Sequence, residues 1–143
     1  MKLQQLSLFL ENKPGALREP CDALAAAGIN LLTVSLADTT QFGILRFIVA
    51  DPEQARKVLQ QAGMVAKVTE VLAVEVDNKP GGLARALDAI EKAGLGVEYM
   101  YLLGTAPAGN RAVIVLRFED PDAAIRALEK AGVRVLTREE VFK

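Results

Sequence analysis

Residues 11–17 read ENKPGAL and residues 77–83 read DNKPGGL. A doubled hinge constrains this chain more than any composition does, because whatever the first copy builds the second must build again. The correspondence runs well past the hinges. Asn12, Pro14, Gly15 and Leu17 meet Asn78, Pro80, Gly81 and Leu83, and Ala27-Gly28 meets Ala93-Gly94, all at an offset of 66 residues. Farther on the offset is 69: Asp51-Pro52 meets Asp120-Pro121, Ala55 meets Ala124, Leu59 meets Leu128, and Ala62-Gly63 meets Ala131-Gly132. The difference falls in GTAPAGNR (104–111), whose Gly, Pro and Asn mark a hairpin loop that tolerates insertion.

Each half shows the same succession of patterns. Leu6, Leu8 and Leu10 alternate as in a strand, and Leu72, Val74 and Val76 repeat them. After each hinge comes a helix, with apolar positions Leu17, Cys21, Leu24 and Ala25 in one half and Leu83, Leu87 and Ile90 in the other. Gly28 and Gly94 close these helices. Two strand-like runs follow, LLTVSLA and GILRFIVA, then VEYMYLL and AVIVLRF. A second helix opens at Asp-Pro, the aspartate as N-cap and the proline where its missing N–H is harmless, and stops at Gly63 or Gly132. VAKVT and RVLTREEV supply a last strand in each half.

Strand, helix, strand, strand, helix, strand is the split βαβ order, four antiparallel strands with helices on one face. The expected fold is therefore α+β, two tandem ferredoxin-like βαββαβ domains at residues 1–69 and 70–143. Each half is small enough that its core is thin, so the two are expected to pack on each other. No Gly/Ser/Pro linker separates them.

The composition closes several routes to chemistry. The chain of 143 residues has no histidine, which removes imidazole acid–base catalysis and imidazole metal ligation. Its single cysteine, Cys21, reads as a small buried helix residue and cannot form an internal disulfide. Asp51 and Asp120 are accounted for as caps, and Glu139 and Glu140 read as solvated charge on a terminal strand. No glycine-rich phosphate loop is present. Catalysis, a cofactor and a metal are all unexpected. Seventeen basic and eighteen acidic residues give a net charge of −1 without like-charge blocks, which disfavours nucleic acid. No apolar stretch reaches membrane-spanning length and the N-terminus lacks a signal-peptide core, so a cytoplasmic protein is expected.

The hinge remains. Pro-Gly after a strand is good turn chemistry, and Asn is a good cap. Such a hinge also presents free N–H groups at the positive end of a helix, a seat for a small carboxylate. The Asn12 or Asn78 amide both donates and accepts, matching the ammonium and carboxylate of an α-amino acid.

NKPGAL followed by AAGINLLTVSL, and NKPGGL followed by KAGLGVEYMYLL, resemble the ACT domain, a small-molecule regulatory module, over nearly the whole chain. The resemblance implies amino-acid binding at an interface between paired modules, through the loop after the first strand and the start of the second. In the first half this places ligand contacts at Leu10, Asn12, Pro14, Gly15, Ala16, Leu17, Ile29, Asn30 and Leu31. In the second half it places them at Asn78, Pro80, Gly81, Gly82, Leu83 and Gly96. Gly96 stands where the first half has Asn30, so the halves are not equivalent. A histidine found in some serine-binding members is Leu10 here and Val76 in the second half, which argues against serine. Tyr99 and Tyr101 share a strand face and are read as sheet packing rather than a ligand wall.

Side-by-side pairing of ACT modules joins their second strands, and because Val65 to Val76 must hold both the last strand of one half and the first of the next, only about a residue or two remains for the link, which leaves two arrangements. Either strands are exchanged between the halves, or edge pairing is made with a second chain. LLTVSL carries no charge to block an edge, whereas RVLTREEV does. A homodimer is expected. The resulting expectation is a non-catalytic sensor of a free amino acid, with branched-chain or aromatic side chains favoured by Leu10, Ile29 and Leu31. A separate metabolic enzyme or regulator would receive the signal. The alternative is an interaction subunit that binds an enzyme and whose ligand site is vestigial.

Overall fold

The computed structural model describes residues 1–38, 41–105 and 109–143. The chain divides into two compact units, one made of Gln4–Thr69 and the other of Met1–Leu3 with Glu70–Lys143. All described strand pairings are antiparallel.

In the unit formed by Gln4–Thr69, β1 (Lys2–Glu11), α1 (Arg18–Ala26), β2 (Thr33–Asp38), β3 (Phe42–Ile48) and α2 (Pro52–Gln61) follow the expected order. β3 lies between β1 and β2, pairing Leu6 with Phe47 and Leu8 with Leu45 on one side, and Val34 with Phe47 and Leu36 with Leu45 on the other. Directly opposed residues share a sheet face. Leu6, Leu8, Leu45 and Phe47 therefore form one apolar surface, and Leu24 of α1 with Ala55 and Leu59 of α2 complete the core against it.

The other unit repeats this plan with β4 (Lys67–Asp77), α3 (Gly82–Lys92), β5 (Tyr99–Thr105), β6 (Arg111–Arg117), α4 (Pro121–Lys130) and β7 (Arg134–Val135). β6 lies between β4 and β5, and β7 pairs with the far edge of β4. Leu72, Val74 and Leu116 of the sheet pack with Ile90 of α3 and Leu128 of α4. The β5–β6 register shifts between Leu102 and Gly104, whereas β2 and β3 pair without interruption. Ala106, Pro107 and Ala108 of the expected hairpin loop lie outside the described residues.

The helix ends follow the sequence. Asp51 and Asp120 accept hydrogen bonds from the N–H groups of Gln54 and Ala123, both at 3.1 Å. At the end of α1, the Gly28 N–H donates to the Ala25 carbonyl and the Ile29 N–H to the Leu24 carbonyl, the paired bonds of a Schellman stop. The same two bonds recur at Gly63, Gly94 and Gly132. On α2, Arg56 donates to Glu53 at 2.6 Å; this bond, and secondarily its charge, holds the Glu53 carboxyl below its ordinary pKa.

Three expectations are corrected. The VAKVT strand and the strand carrying Leu72, Val74 and Val76 are one element: β4 runs unbroken through Thr69–Glu70, where the units divide. No turn residue interrupts that stretch, so nothing ends the strand. RVLTREEV gives only the two residues of β7 before turning into the helix α5 (Arg138–Val141). The cause is a capping box, in which the Glu140 N–H donates to Thr137 Oγ1 and the Thr137 N–H donates to Glu140 Oε1. In α1, finally, only Leu24 of the four expected inward positions is buried; Pro20 takes the other buried position, Cys21 is half-buried, and Leu17 and Ala25 are exposed.

Candidate functional site

The two hinges share their glycine geometry and their tie to the neighbouring hairpin. Gly15 and Gly81 each adopt φ +88°, reversing the chain after its strand. The Asn12 N–H donates to the Gln41 carbonyl and the Asn78 N–H to the Asn110 carbonyl, both at 3.0 Å, so each hinge is tied to the neighbouring hairpin. Farther on, Glu19 and Arg85 donate back to Gly15 and Gly81. The N–H groups of Gly15, Leu17 and Arg18, and of Gly81, Leu83 and Ala84, make no hydrogen bond among the described residues. Each hinge thus presents a short run of unengaged donors, the geometry that favours a carboxylate.

Asn78 donates its side-chain amide to the Gly109 carbonyl at 2.7 Å. Asn12 makes no side-chain hydrogen bond among the described residues, and it is exposed. Gly82 is buried, and a Cβ there would overlap the Asp77 carbonyl oxygen. Ala16, its counterpart, carries such a Cβ and is only half-buried. In the first hinge the Glu11 carbonyl instead accepts from the Lys13 N–H at 2.9 Å. The close approach open to Gly82 is closed to Ala16, and accordingly α3 begins at Gly82 while α1 begins two positions later in register, at Arg18.

The family is decided by sequence. Residues 1–141 match the pattern of the ACT domain pair. This chain belongs to that family. Among solved structures, the ACT pair is similar to protein BT0572 of Bacteroides thetaiotaomicron, with a TM-score of 0.91 and 38% identity over 100% of this chain and 97% of that one. It is also similar to the ligand-free regulatory subunit of aspartate kinase from Thermus thermophilus, with a TM-score of 0.62 and 20% identity over 90% and 91% of the two chains. The corresponding subunit from Thermus flavus gives 0.60 and 19% over 91% and 92%. At such identities the likeness to the kinase subunits is one of fold. No curated protein matches the chain.

Within the first ACT unit the expected contacts separate into two groups. Asn12, Pro14, Gly15, Ala16 and Leu17 lie in the hinge before α1, with Leu17 41% exposed. Ile29, Asn30 and Leu31 lie beyond the other end of α1, where Ile29 and Leu31, like Leu10 of β1, pack against the core. Asn30 is exposed and precedes β2 by three residues rather than opening it. The second ACT unit divides its set likewise. Asn78, Pro80 and Gly81 are exposed in the hinge, Leu83 packs beside Val76 and Ile114, and Gly82 lines a pocket with Arg85 and Arg111. Gly96 lines a different pocket, with Val97, Glu98 and Asp120. Tyr99 and Tyr101 are half-buried opposite Arg117 and Val115.

Among the described residues no three His, Cys, Asp or Glu side chains are grouped to hold a metal ion, and no helix is long and apolar enough to cross a membrane. Sequence reasoning passed over the charged residues around the second hinge. Arg111 donates to Glu75 through Nε at 3.1 Å and Nη2 at 3.0 Å, and also to Asp77, while Arg134 pairs with Glu75 at 3.7 Å and with Glu140. Their signal was available as departures from the repeat, since the first half has Phe9, Phe42 and Val65 where the second has Glu75, Arg111 and Arg134.

Proposed function

We propose that this ACT pair is a non-catalytic sensor that binds a free amino acid, with the first hinge supplying the principal contacts. The observation that carries this reading is the run of N–H groups at Gly15, Leu17 and Arg18 that make no hydrogen bond among the described residues, beside the exposed Asn12 amide. A carboxylate suits the N–H groups, and the Asn12 carbonyl accepts from the ammonium. Asn78 is the weaker partner because its amide is already bound to Gly109.

Asn12 and Asn30 of one unit cannot share one ligand. The nine residues of α1 lie between them, and at 1.5 Å per residue they hold the two ends roughly 14 Å apart. On this reading Asn30 comes from a second module, which a homodimer would supply. The end strand β2 supports such pairing: Val34 and Leu36 are 52% and 50% exposed, and its register with β3 is unbroken. Leu10, Ile29 and Leu31 offer apolar surroundings that favour a branched-chain or aromatic ligand. A bound ligand shifts a population of states only by its difference in affinity between them, and a separate enzyme or regulator would read that shift.

Thermal unfolding with each of the twenty amino acids at millimolar concentration tests the proposal. Binding only the folded state raises the melting temperature, so at least one amino acid is expected to do so. No shift with any of them sinks the sensor reading. It would favour instead an interaction subunit that binds an enzyme, a reading supported by the exposed apolar edge of β2.

A further inference from the structure

The two units of the repeat serve as an internal control for what the fold itself needs. The second unit holds a small pocket of about 40 Å³, open to solvent, lined by Arg85, Arg111 and Arg134 together with Glu75, Asp77 and Gly82. At the same positions of the first unit stand Glu19, Phe42 and Val65 in place of the three arginines. Leu6, Leu8, Leu45 and Phe47 build the first core as Leu72, Val74 and Leu116 build the second, so neither the sheet nor the helices require guanidinium groups there.

The acidic residues of the pocket engage only two of the three arginines. Glu75 and Asp77 take Arg111, and Arg134 is shared between Glu75 and Glu140. Arg111 uses three of its five N–H donors in these bonds, leaving two. Arg85 lines the same pocket and makes no ion pair or side-chain hydrogen bond among the described residues. Glu75, Asp77 and Glu140 therefore position Arg111 and Arg134, and Arg85 stands beside them without an ion pair among the described residues. Guanidinium groups bind planar and tetrahedral oxyanions through paired charge-assisted hydrogen bonds.

From this we infer that the pocket of the second unit is a separate site for a small oxyanion-bearing ligand, a carboxylate or a phosphate, recognised by Arg85 and Arg111. It does not depend on the amino-acid reading of the first hinge. The two sites differ in kind: one offers neutral amides and N–H groups, the other guanidinium charge.

The test is titration of the full chain with inorganic phosphate and, separately, with succinate, following the arginine Nε–H signals by NMR at constant ionic strength, with chloride as reference. Saturable shifts at Arg85 and Arg111 are expected with at least one anion, and which anion acts distinguishes phosphate from carboxylate chemistry. Arg85→Gln is expected to weaken that binding about tenfold or more. Arg126→Gln, at an exposed position on α4 outside the pocket, is expected to leave it unchanged. Absence of saturation with both anions overturns the inference, as does equal affinity in Arg85→Gln. Asn12→Ala separates the two sites, because it is expected to weaken amino-acid binding tenfold or more and leave the anion titration intact.

Discussion

The Cα of Gly82 lies so close to the carbonyl oxygen of Asp77 that no side-chain atom fits between them. That approach lets α3 begin at Gly82, directly behind the hinge. Gly82→Ala must displace backbone rather than a flexible side chain, and overpacking of this kind costs about 1–3 kcal/mol. In a chain of this size each kcal/mol lowers the melting temperature by roughly 2–4 °C. Ala16→Gly at the matching position removes no core group and is expected to change stability by less than about 1 kcal/mol. Thermal or urea unfolding of the two variants checks the contrast.

The two hinge asparagines are expected to separate stability from binding. Asn78→Ala removes the 2.7 Å bond to the Gly109 carbonyl and should destabilise by about 0.5–1.5 kcal/mol. Asn12→Ala removes no described side-chain bond and should leave the unfolding midpoint within about 0.5 kcal/mol of the parent. Its effect is expected in amino-acid affinity, weakened tenfold or more by loss of a hydrogen bond to a charged ligand group. Calorimetry with the stabilising amino acid, beside denaturant unfolding, reads both quantities. Equal binding by Asn12→Ala and the parent would count against the first hinge as the ligand seat.

Most of the architecture was legible because its signals are local and occur twice. Asp51 and Asp120 cap helices as their Asp-Pro contexts require, and Gly28, Gly63, Gly94 and Gly132 make the same helix stop. Misreadings fell where one local rule outweighed another. The charge of RVLTREEV suggested an exposed strand, yet Thr137 and Glu140 form a capping box that was readable from their spacing. The inward face of α1 was misassigned because its buried positions are Pro20 and Leu24, matching Ala86 and Ile90 of α3, so a proline and an alanine take places that the spacing of large apolar residues does not mark.

The candidate site was legible only in part. The hinge residues could be named from sequence, but the commitment of the Asn78 amide to Gly109 depends on a contact between distant positions. Likewise, Glu75, Arg111 and Arg134 come together only through the β4–β6 and β4–β7 registers. Substitutions between repeats point to such places, though they do not show which side chains meet.

Acid is expected to weaken α2 through Glu53. Its folded pKa is depressed, first by the hydrogen bond from Arg56 and then by the charges of Arg56 and Lys57. A carboxylate of this kind contributes stability that is present above its unfolded pKa and lost as pH falls through the folded value. The melting temperatures of the parent and of Arg56→Gln should therefore differ at neutral pH and converge as the solution is acidified below the ordinary carboxylate range. Glu53 is exposed and Arg56 half-buried, so the gap is expected to shrink with added salt as well. A difference that stays constant between neutral pH and pH ~3 would assign the effect to packing of the Arg56 stem instead.

Assembly is expected to run through β2 rather than its counterpart β5. Both are end strands of their units, and both expose apolar side chains, Val34 and Leu36 on one and Met100 and Leu102 on the other. They differ in backbone: β5 changes register between Leu102 and Gly104, while β2 keeps six consecutive pairs with β3. A bulge twists an edge away from a prospective partner, and an uninterrupted strand without charge at its centre offers a full row of N–H and C=O groups. In a two-fold antiparallel pairing of β2 centred on Ser35, Val34 of each copy would lie opposite Leu36 of the other, burying side chains that are half exposed in the single chain. Leu36→Lys sets a charged side chain against the apolar Val34 of the other copy in that arrangement and is expected to shift the dimer to monomer, whereas Leu102→Lys should leave it largely intact. Sedimentation velocity at micromolar concentration reads the outcome. A parent chain that sediments only as monomer removes the dimer, and equal disruption by the two lysines removes the preference for β2.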